Sequence, residues 1–354
     1  MLWHLYCRVV DNFGDIGFAW RLAGDLAGRG ESVRLAVDDR SALAWLAPEG
    51  APGVEVVDWH EPATRRPDVV IELFGGGLPD HANAGATERD PVVVNLEHLS
   101  AEAYVERSHG LPSPRQTPAG RPFTTWYFYP GFTAATGGLL REPGLLARGP
   151  SYPGGADGLA TLGVAARPGE RLVSLFCYRN DAIAPLLDSL AASPTLLLLT
   201  PGPASDQVQA ELGPTLTRGA LRALRLPYLT QADFDCLLGS CELNFVRGED
   251  SFVRAIWAGA PFVWQAYPQD DAAHHIKVEA FLDRYLADAS AELGAALRAH
   301  FRRWNASTTG AIELASPATA LHEAWAGHAR QWRDALAGPS DLTTRLLGFV
   351  AAKR

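Results

Sequence analysis

The stretch LWHLYCRVVDNFGDIG, residues 2–17, begins an α/β fold. Its apolar first half, LWHLYCRVV, predicts a buried strand, and residues 16–30 have the pattern of a helix that follows it. The loop between them contains glycine, and loops of this kind usually present backbone N–H groups to a phosphate. This loop instead carries two carboxylates, Asp11 and Asp15. Its chemistry therefore differs from that of an ordinary anion-binding loop.

The acidic pair has an ordinary interpretation and a functional one. In the ordinary one, Asp15 caps the following helix and Asp11 forms an Asx-turn. Against this, two carboxylates four residues apart at the exit of a strand repel each other and need a cation or hydrogen-bond donors. A metal ion would need further ligands, and no His or third carboxylate lies close in sequence. A cationic group of an acceptor substrate explains the pair better.

Length and composition narrow the class of protein. The chain has 354 residues, which at about 150 residues per domain predicts two domains. Its 31 basic and 40 acidic residues give a net charge of -9, which disfavours nucleic acid and anionic membranes as partners. No apolar stretch approaches the roughly 18 residues of a membrane helix, and no basic leader precedes the first apolar run. We expect a cytoplasmic protein.

Cysteine usage indicates neither a disulfide framework nor a zinc site. The cysteines lie in apolar segments without CxxC spacing, so we expect buried, inert thiols. They are Cys7, Cys177, Cys236 and Cys241.

Strand-like runs alternate with helix-like segments along the chain, which predicts parallel α/β sheets. The Pro- and Gly-rich stretch 111–169 is typical of an irregular rim followed by an interdomain linker. The strand pattern resumes at Arg171, where a second α/β domain is expected. The amphipathic tail after Pro339 predicts a closing helix. Two such domains predict a cleft whose ligands lie at the loops that follow strands.

In the second domain, residues 242–259 read as a strand, the turn RGED and a helix. Ser251 and Asp250 are N-cap candidates, and a helix N-terminus beside Arg247 suits a pyrophosphate. Plain capping remains the alternative, since such residues commonly precede apolar helices.

Several long strings of this sequence resemble one protein family. From Tyr6 to about Tyr285 the chain resembles the bacterial elongation factor P arginine rhamnosyltransferases, the EarP family. The resemblance implies a GT-B glycosyltransferase fold, with two facing Rossmann-like domains and an interdomain cleft. It implies an acceptor-binding domain, 1–168, completed by a C-terminal helix at about 339–354, and a nucleotide-sugar-binding domain, 169–338. The matching strings are YCRVVDNFGDIGFAWRLA, NLEHLSAE, WYFYPGFTAATGGLLRE, LFCYRN, ELNFVRGEDSFVRAIWAGAPFVWQAYPQDDAAH and KVEAFLDRY.

The resemblance also implies an activity and partners. Members of the family transfer L-rhamnose from dTDP-β-L-rhamnose to one arginine of translation elongation factor P, with inversion, which activates the factor for relief of polyproline stalling. No cofactor or metal is expected. By resemblance Asp15 is the general base, Asp11 orients the guanidinium, and Glu249 holds the donor sugar.

The remaining site residues implied by the resemblance bind the sugar nucleotide. Arg247, Ser251 and the helix N-terminus stabilise the leaving pyrophosphate, while Asp250 turns toward the helix N–H groups. The base pocket combines aromatic faces that stack on thymine with an amide that pairs with its polar edge. Without the resemblance its two phenylalanines would be interpreted as core. The pocket residues are Phe176, Tyr178, Gln231 and Phe234. Further candidates for the border of the donor site are Tyr267, Gln269, Asp270 and Asp271.

One departure from the family pattern and two alternative functions stay open. The glycines Gly75–Gly77 are unexpected for the family, and they predict a more mobile loop, a close approach to the acceptor, or a simple turn variant. They lack the G-x-G-x-x-G spacing of a dinucleotide site. In the first alternative the chain is another GT-B sugar-nucleotide transferase with a small acceptor. In the second it is a non-catalytic protein that binds a basic partner in an acidic cleft, and affinity for dTDP-rhamnose would count against it.

Overall fold

The computed structural model describes residues 1–11, 13–84, 91–117, 120–146, 155–269, 273–306 and 320–354. The chain forms two compact units. Unit 1 comprises Met1–Leu145 and Ala337–Arg354, and unit 2 comprises Leu146–Leu336. The first boundary lies before the predicted 168 because Leu159 and Val164 are buried in the core of unit 2. The roles assigned to the two domains stay predictions.

Unit 1 is built on a mostly parallel sheet. Its strands are β1 (Leu2–Cys7), β2 (Ser32–Val37), β3 (Val54–Asp58), β4 (Val69–Leu73), β5 (Val92–Leu96), β6 (Pro112–Gln116) and β7 (Pro122–Phe128). Its first helices are α1 (Gly14–Gly28), α2 (Leu43–Leu46), α3 (Asp80–Ala84) and α4 (Tyr104–Ser108). Within the described residues the strands form a seven-stranded sheet in the order β3-β2-β1-β4-β5-β7-β6. The sheet therefore changes its direction of growth between β1 and β4.

The stretch predicted as an irregular rim contains β6 and β7, so that prediction is wrong for residues 112–116 and 122–128. The run PFTTWYF is rich in β-branched and aromatic residues, which fit a pleated surface. Pro112 and Pro114 lie on β6, which pairs only with β7 and in antiparallel orientation. Proline is tolerated there because an edge strand has N–H positions that need no partner.

The main core of unit 1 lies between the sheet and α1. Trp3, Leu5 and Cys7 point to this side, where they pack with Ile16 and Leu22 of the helix, and all five side chains are fully buried. The alternating strand residues point to the other face, as the period of two requires. The fold therefore leaves the loop after β1 at the edge of a rigid, close-packed layer.

Unit 2 repeats the α/β arrangement. Within the described residues its strands form a six-stranded sheet in the order β10-β11-β9-β8-β12-β13, which is parallel except for the β10–β11 pair. Here β8 lies between β9 and β12, so growth reverses between β8 and β12. The strands are β8 (Arg171–Leu175), β9 (Thr195–Leu199), β10 (Thr217–Arg218), β11 (Leu221–Arg225), β12 (Leu243–Arg247) and β13 (Phe262–Gln265). The helices are α5 (Gly155–Thr161), α6 (Ile183–Leu190), α7 (Pro203–Leu212), α8 (Gln231–Ser240), α9 (Asp250–Ala258), α10 (Ala273–Tyr285), α11 (Ala291–Asn305) and α12 (Ala320–Ala337).

The chain then returns to unit 1 as a closing helix, α13 (Leu342–Lys353), at the position that the amphipathic tail predicts. Leu342, Leu346 and Val350 are fully buried in the core beside α1. Asp341 caps the helix by accepting the N–H of Thr344 at 2.8 Å. The last helix is thus part of the core of unit 1.

Two further expectations concern burial and membranes. All four cysteines are buried and none forms a disulfide, as predicted. Among the helices that the structure describes, none is long and apolar enough to cross a bilayer.

Candidate active site

The acidic loop lies at the carboxyl end of β1, where the sheet of unit 1 changes its direction of growth. Ligands of open α/β sheets bind at such points. Asp15 is 6% exposed, and its Oδ2 accepts the N–H groups of Val10 at 2.8 Å and Asp11 at 2.9 Å. Both bonds end on the same oxygen, so neither of them uses Oδ1. The carboxylate is anchored to the loop that precedes α1, and no side chain caps the helix at its N-cap, Phe13.

The loop is a tight turn that joins the backbone of Asp11 to the carboxylate of Asp15. The N–H of Gly14 donates to the carbonyl oxygen of Asp11 at 2.7 Å. A Cβ at Gly14 would lie 3.0 Å from Oδ2 of Asp11, so a larger residue there would push the carboxylate away. Together with the bond from the Asp11 N–H to Asp15, this turn fixes both residues at the strand exit.

Two further acidic residues lie at the carboxyl ends of strands in the same sheet, and the sequence analysis missed both. Asp38 follows β2 and accepts the N–H of Val9 at 2.9 Å. Glu97 follows β5, and burial raises the pKa of its carboxyl group, while the nearby His98 charge and a 2.8 Å hydrogen bond from Asn95 oppose that rise. Their sequence signal is their position immediately after a strand.

The three-glycine loop after β4 forms a hydrogen-bonded turn. Phe74 has φ +58 and stacks on His98 with 4.5 Å between ring centroids. Gly75 and Gly77 also have positive φ, +64 and +83, a region that only glycine adopts without strain. The N–H of Gly77 donates to Oε1 of Glu72 at 3.0 Å. These contacts favour the turn-variant interpretation of the three glycines.

In unit 2, Arg247 ends β12 at the corresponding point of the second sheet. Its guanidinium carbon lies 4.5 Å from the ring centroids of both Phe176 and Tyr178, which follow β8. The side chain is almost entirely buried. Because aromatic faces attract a cation, the two rings hold the guanidinium in place. The structure thus brings three of the predicted donor-site residues into direct contact.

The first turn of α8 extends this aromatic cluster. Phe234 meets Phe176 edge to face, with 5.6 Å between ring centroids. The helix begins at Gln231, directly after its N-cap Thr230, whose hydroxyl accepts the N–H of Asp233 at 3.1 Å. This cap fixes the turn that carries both predicted residues, so Gln231 and Phe234 lie on the same short segment as the cap.

The turn RGEDS has a different cap from the predicted one. Glu249 is the N-cap of α9 and makes no capping bond with its side chain, while Asp250 and Ser251 lie inside the first turn. Gly248, with φ +61, reverses the chain sharply. Consequently the hydroxyl of Ser251 donates to the carbonyl oxygen of Arg247 and accepts the Arg247 N–H at 3.2 Å. Ser251 therefore fastens the end of β12.

A buried amide that the sequence analysis missed supports the aromatic pair. Oε1 of Gln265, at the end of β13, accepts the N–H of Tyr178 at 2.9 Å, and Gln265 is 6% exposed. The ring of Tyr178 also meets that of Tyr267 edge to face at 5.4 Å. Gln265 is the last residue of β13, in the string APFVWQAY, and nothing in that string distinguishes it from other polar residues at strand ends. Only its hydrogen bond to Tyr178 reveals its role.

The remaining border residues contribute less. The N–H of Gln269 donates to Nδ1 of His274 at 3.2 Å, and Asp270 and Asp271 lie outside the described residues. No group of three or more His, Cys, Asp or Glu side chains within the described part of the chain is arranged to hold a metal ion.

An ion pair joins the two helices that carry donor-site residues. Arg254 on α9 donates from Nε to Oδ1 of Asp235 on α8 at 2.9 Å, and from Nη2 to the other carboxylate oxygen. The arginine side chain is 3% exposed and the aspartate side chain 17%. Such a bidentate pair fixes the relative position of α8 and α9.

We expect Arg254→Ala to lower the free energy of unfolding by about 2–4 kcal/mol, because it leaves the partly buried Asp235 without its main partner. Urea unfolding followed by circular dichroism measures the change. The matched control is Arg225→Ala, which removes an exposed pair with Asp206 and should have little effect. Equal losses in the two variants would show that the buried pair has no special role.

Comparison with known proteins decides the family. A family model described as "Elongation-Factor P (EF-P) rhamnosyltransferase EarP" matches residues 3–351, almost the whole chain. The chain belongs to the EarP family.

Relatives of this EarP-family chain include named enzymes. It is 41% identical to a protein-arginine rhamnosyltransferase of Pseudomonas aeruginosa, over 99% of this chain and 98% of the other. It is 42% identical to a protein-arginine rhamnosyltransferase of Pseudomonas putida, over 98% of each. The predicted glycosyltransferase class is thereby confirmed.

Solved structures confirm the fold of the EarP-family chain. The structure described as "Structural basis for EarP-mediated arginine glycosylation of translation elongation factor EF-P" matches with a TM-score of 0.70 and 32% identity, over 100% of this chain and 99% of the other. The glycosyltransferase VinC in complex with dTDP matches with a TM-score of 0.55 at 16% identity, over 100% of both chains, which concerns the fold alone. The predicted GT-B fold is confirmed.

Proposed function

We propose that this protein transfers L-rhamnose from dTDP-β-L-rhamnose to an arginine side chain of translation elongation factor P, with inversion at the anomeric carbon. The reaction would take place in the cytoplasm and activate the factor for relief of polyproline stalling. Family membership and the names of the relatives support the transfer of rhamnose to protein arginine. The observation that carries the proposal is the anchored acidic turn after β1, because an acceptor cation is the ligand that it suits.

The acceptor poses the main chemical difficulty. A guanidinium has a pKa above about 12 and a delocalised lone pair, so it is a poor nucleophile. Two carboxylates in one turn can grip its fork of N–H donors. We assign Asp11 to orienting the guanidinium and Asp15 to general-base catalysis, since Oδ2 of Asp15 is held by the backbone and Oδ1 serves neither of those bonds.

The step balances without a co-reactant. A guanidinium nitrogen attacks the anomeric carbon while its proton passes to Asp15, and the bond from that carbon to the diphosphate oxygen breaks with its electron pair. The products are the rhamnosylated arginine, dTDP and a protonated Asp15, which returns its proton to solvent. Attack opposite to the leaving group inverts the anomeric centre.

The donor is held by the cluster in unit 2. Arg247 and the N-terminus of α9 supply positive charge for the departing diphosphate, and Glu249 holds the sugar. The hydroxyl of Ser251 donates to the carbonyl oxygen of Arg247. Ser251 therefore supports donor binding in part by fixing the backbone of Arg247. Asp250 occupies the first turn of α9, where its charge is favourable to the helix.

The base pocket is formed by the aromatic cluster. Phe176, Tyr178 and Phe234 offer ring faces and edges to thymine, and Gln231 lies on the same helical turn as Phe234. Gln265 holds the backbone of Tyr178 and so fixes one wall of this pocket.

The test is incubation of the purified protein with dTDP-β-L-rhamnose and elongation factor P, followed by intact-protein mass spectrometry and peptide mapping. A gain of one deoxyhexose on an arginine supports donor, acceptor and reaction together. No gain with measurable donor binding would contradict the acceptor and favour a small acceptor. Absence of donor binding would favour the non-catalytic alternative.

Phe234→Ala should raise the donor KM about tenfold with a smaller change in kcat, because loss of one stacking ring costs about 1–3 kcal/mol. Steady-state kinetics with varied donor measures both constants. Phe123→Ala, a phenylalanine of β7 in unit 1, is the control. An unchanged donor KM in Phe234→Ala would show that Phe234 is a core residue and not part of the base pocket.

Transfer should be unaffected by EDTA, because we assign charge stabilisation of the diphosphate to Arg247 and the N-terminus of α9. The measurement is the initial rate before and after extensive chelation, with a Mg²⁺-dependent glycosyltransferase treated in parallel as a control. Loss of turnover that a divalent ion restores would contradict the metal-free mechanism.

A further inference from the structure

Unit 1 contains a cavity that none of the residues assigned above lines. Its volume is about 340 Å³, and it lies against β1 and β4 on the sheet face opposite α1, beneath residues 62–67 and α3. His4 and Tyr6 form its floor, because they alternate along β1 with the core residues that face α1. Its size falls at the lower end of the range for small-molecule sites.

The walls of this cavity are basic. His4, which is 2% exposed, Arg65, Arg66 and His81 all line it. Arg34 lies opposite His4 in the β1–β2 register, and its Nη2 donates to the carbonyl oxygens of Glu61 at 2.9 Å and of the wall residue Pro62. The three arginines bring positive charge to this part of a protein whose net charge is -9, while the two histidines add ring nitrogens that can form hydrogen bonds.

The neighbouring charges affect one another. Burial, together with the charges of Arg34, Arg65 and His81, lowers the pKa of His4 to about 4. Carboxylates near the cavity compensate only in part: Glu61 pairs with Nη2 of Arg34 at 3.3 Å, and its side chain is 54% exposed. An anion in the cavity would therefore offset the repulsion among the arginine charges and would also favour protonation of the two histidines.

Two buried nitrogens also lack hydrogen-bond partners. Nη1 of Arg34 and Nε2 of His81 are buried without a hydrogen-bond partner among the residues that the structure describes. Arg34 as a whole is 6% exposed, so solvent reaches it poorly. Buried donors of this kind normally have a partner, and an unmet one costs free energy.

We propose that this cavity binds a phosphate group. A phosphate dianion brings several acceptor oxygens, which can serve donors that converge from different walls, and its charge offsets that of the basic cluster. A carboxylate offers one charge and two oxygens, so it fits less well. Tyr6 and Val70 add an apolar wall beside the basic groups, which leaves space for a small organic body attached to the phosphate.

The experiment is isothermal titration calorimetry with two probes, inorganic phosphate and phenyl phosphate. It is performed in an Arg247→Gln background, so that the proposed donor site contributes no phosphate binding. We expect saturable binding of at least one probe, weakened about tenfold or more by Arg65→Gln and by His81→Gln, because each removes a charged or hydrogen-bonding contact. Arg330→Gln, on the exposed surface of α12 in unit 2, is the control of equal charge and should bind as the background does.

The two probes distinguish the sources of the phosphate. Tighter binding of phenyl phosphate supports a phosphorylated small molecule, and equal binding supports free phosphate. No saturable binding of either probe, or binding that both substitutions leave unchanged, would overturn the proposal. As a second measurement, the ring signals of His4, assigned with His4→Gln, should shift with phosphate in NMR spectra. Rhamnosyl transfer is not measured, so the outcome is independent of the proposed function.

Discussion

Asp15→Asn is expected to lower kcat for transfer about 10³-fold while leaving donor affinity unchanged. General-base assistance typically contributes about 10² to 10⁴ in rate, and asparagine cannot accept the proton. The side-chain carbonyl of asparagine can still accept the N–H groups of Val10 and Asp11, so the turn should keep its shape. The measurements are single-turnover transfer to elongation factor P and calorimetric binding of dTDP.

The matched control for this variant is Asp38→Asn. Asp38 lies after β2 at the same sheet edge and also accepts backbone N–H groups, those of Val9 and Asp39. Unlike Asp15, it is not assigned to accept the proton of the guanidinium. We expect only a small change in its kcat. Full activity of Asp15→Asn would show that Asp15 is not the general base. Equal losses of kcat in Asp15→Asn and Asp38→Asn would show that removing a negative charge at this sheet edge is enough to slow transfer.

Arg247→Met should weaken dTDP binding about 10²-fold or more and lower transfer at least as much. A hydrogen bond to a charged group contributes about 1.5–3 kcal/mol, and two such bonds to the diphosphate account for this loss. Methionine keeps an apolar stem between Phe176 and Tyr178, so the aromatic cluster should remain packed. Fluorescence or calorimetric titration with dTDP measures the affinity.

Arg179→Met controls for the loss of positive charge near the donor site. Arg179 follows Tyr178 and is exposed, so it should affect dTDP affinity only weakly. If Arg247→Met bound dTDP as well as Arg179→Met does, the assignment of Arg247 to the diphosphate would be wrong.

The parts of the structure that follow from local sequence were predicted well. Buried parallel strands such as β1, β9 and β12 are short runs of apolar residues, and the preference for burial is visible in each run by itself. The acidic turn was also evident, because Asp11 and Asp15 lie close in sequence at the end of such a run. The family resemblance then added the roles that spacing alone left open.

Features that depend on partners in space were missed. Ser251 looks like an N-cap in sequence, but the turn at Gly248 offers its hydroxyl the carbonyl of Arg247 instead. The sequence around Gln265 does not indicate its role, because its hydrogen-bond partner is the backbone of Tyr178, which follows a different strand. The sequence did not indicate the antiparallel pair of β6 and β7, because β6 contains two prolines. Prolines are accepted there because β6 lies at the edge of the sheet.

The closing helix has a consequence for how the protein is made. Residues of α13 complete the core of unit 1, whereas unit 2 is one continuous segment, Leu146–Leu336. During synthesis, the ribosome therefore delivers every residue of unit 2 before it delivers Leu342, Leu346 and Val350. Until then the core residues of unit 1 that pack against these three side chains lack those partners, and transiently exposed apolar surface of this kind favours aggregation. The layer beside the acidic turn after β1 is thus completed only after all of unit 2 has been synthesised.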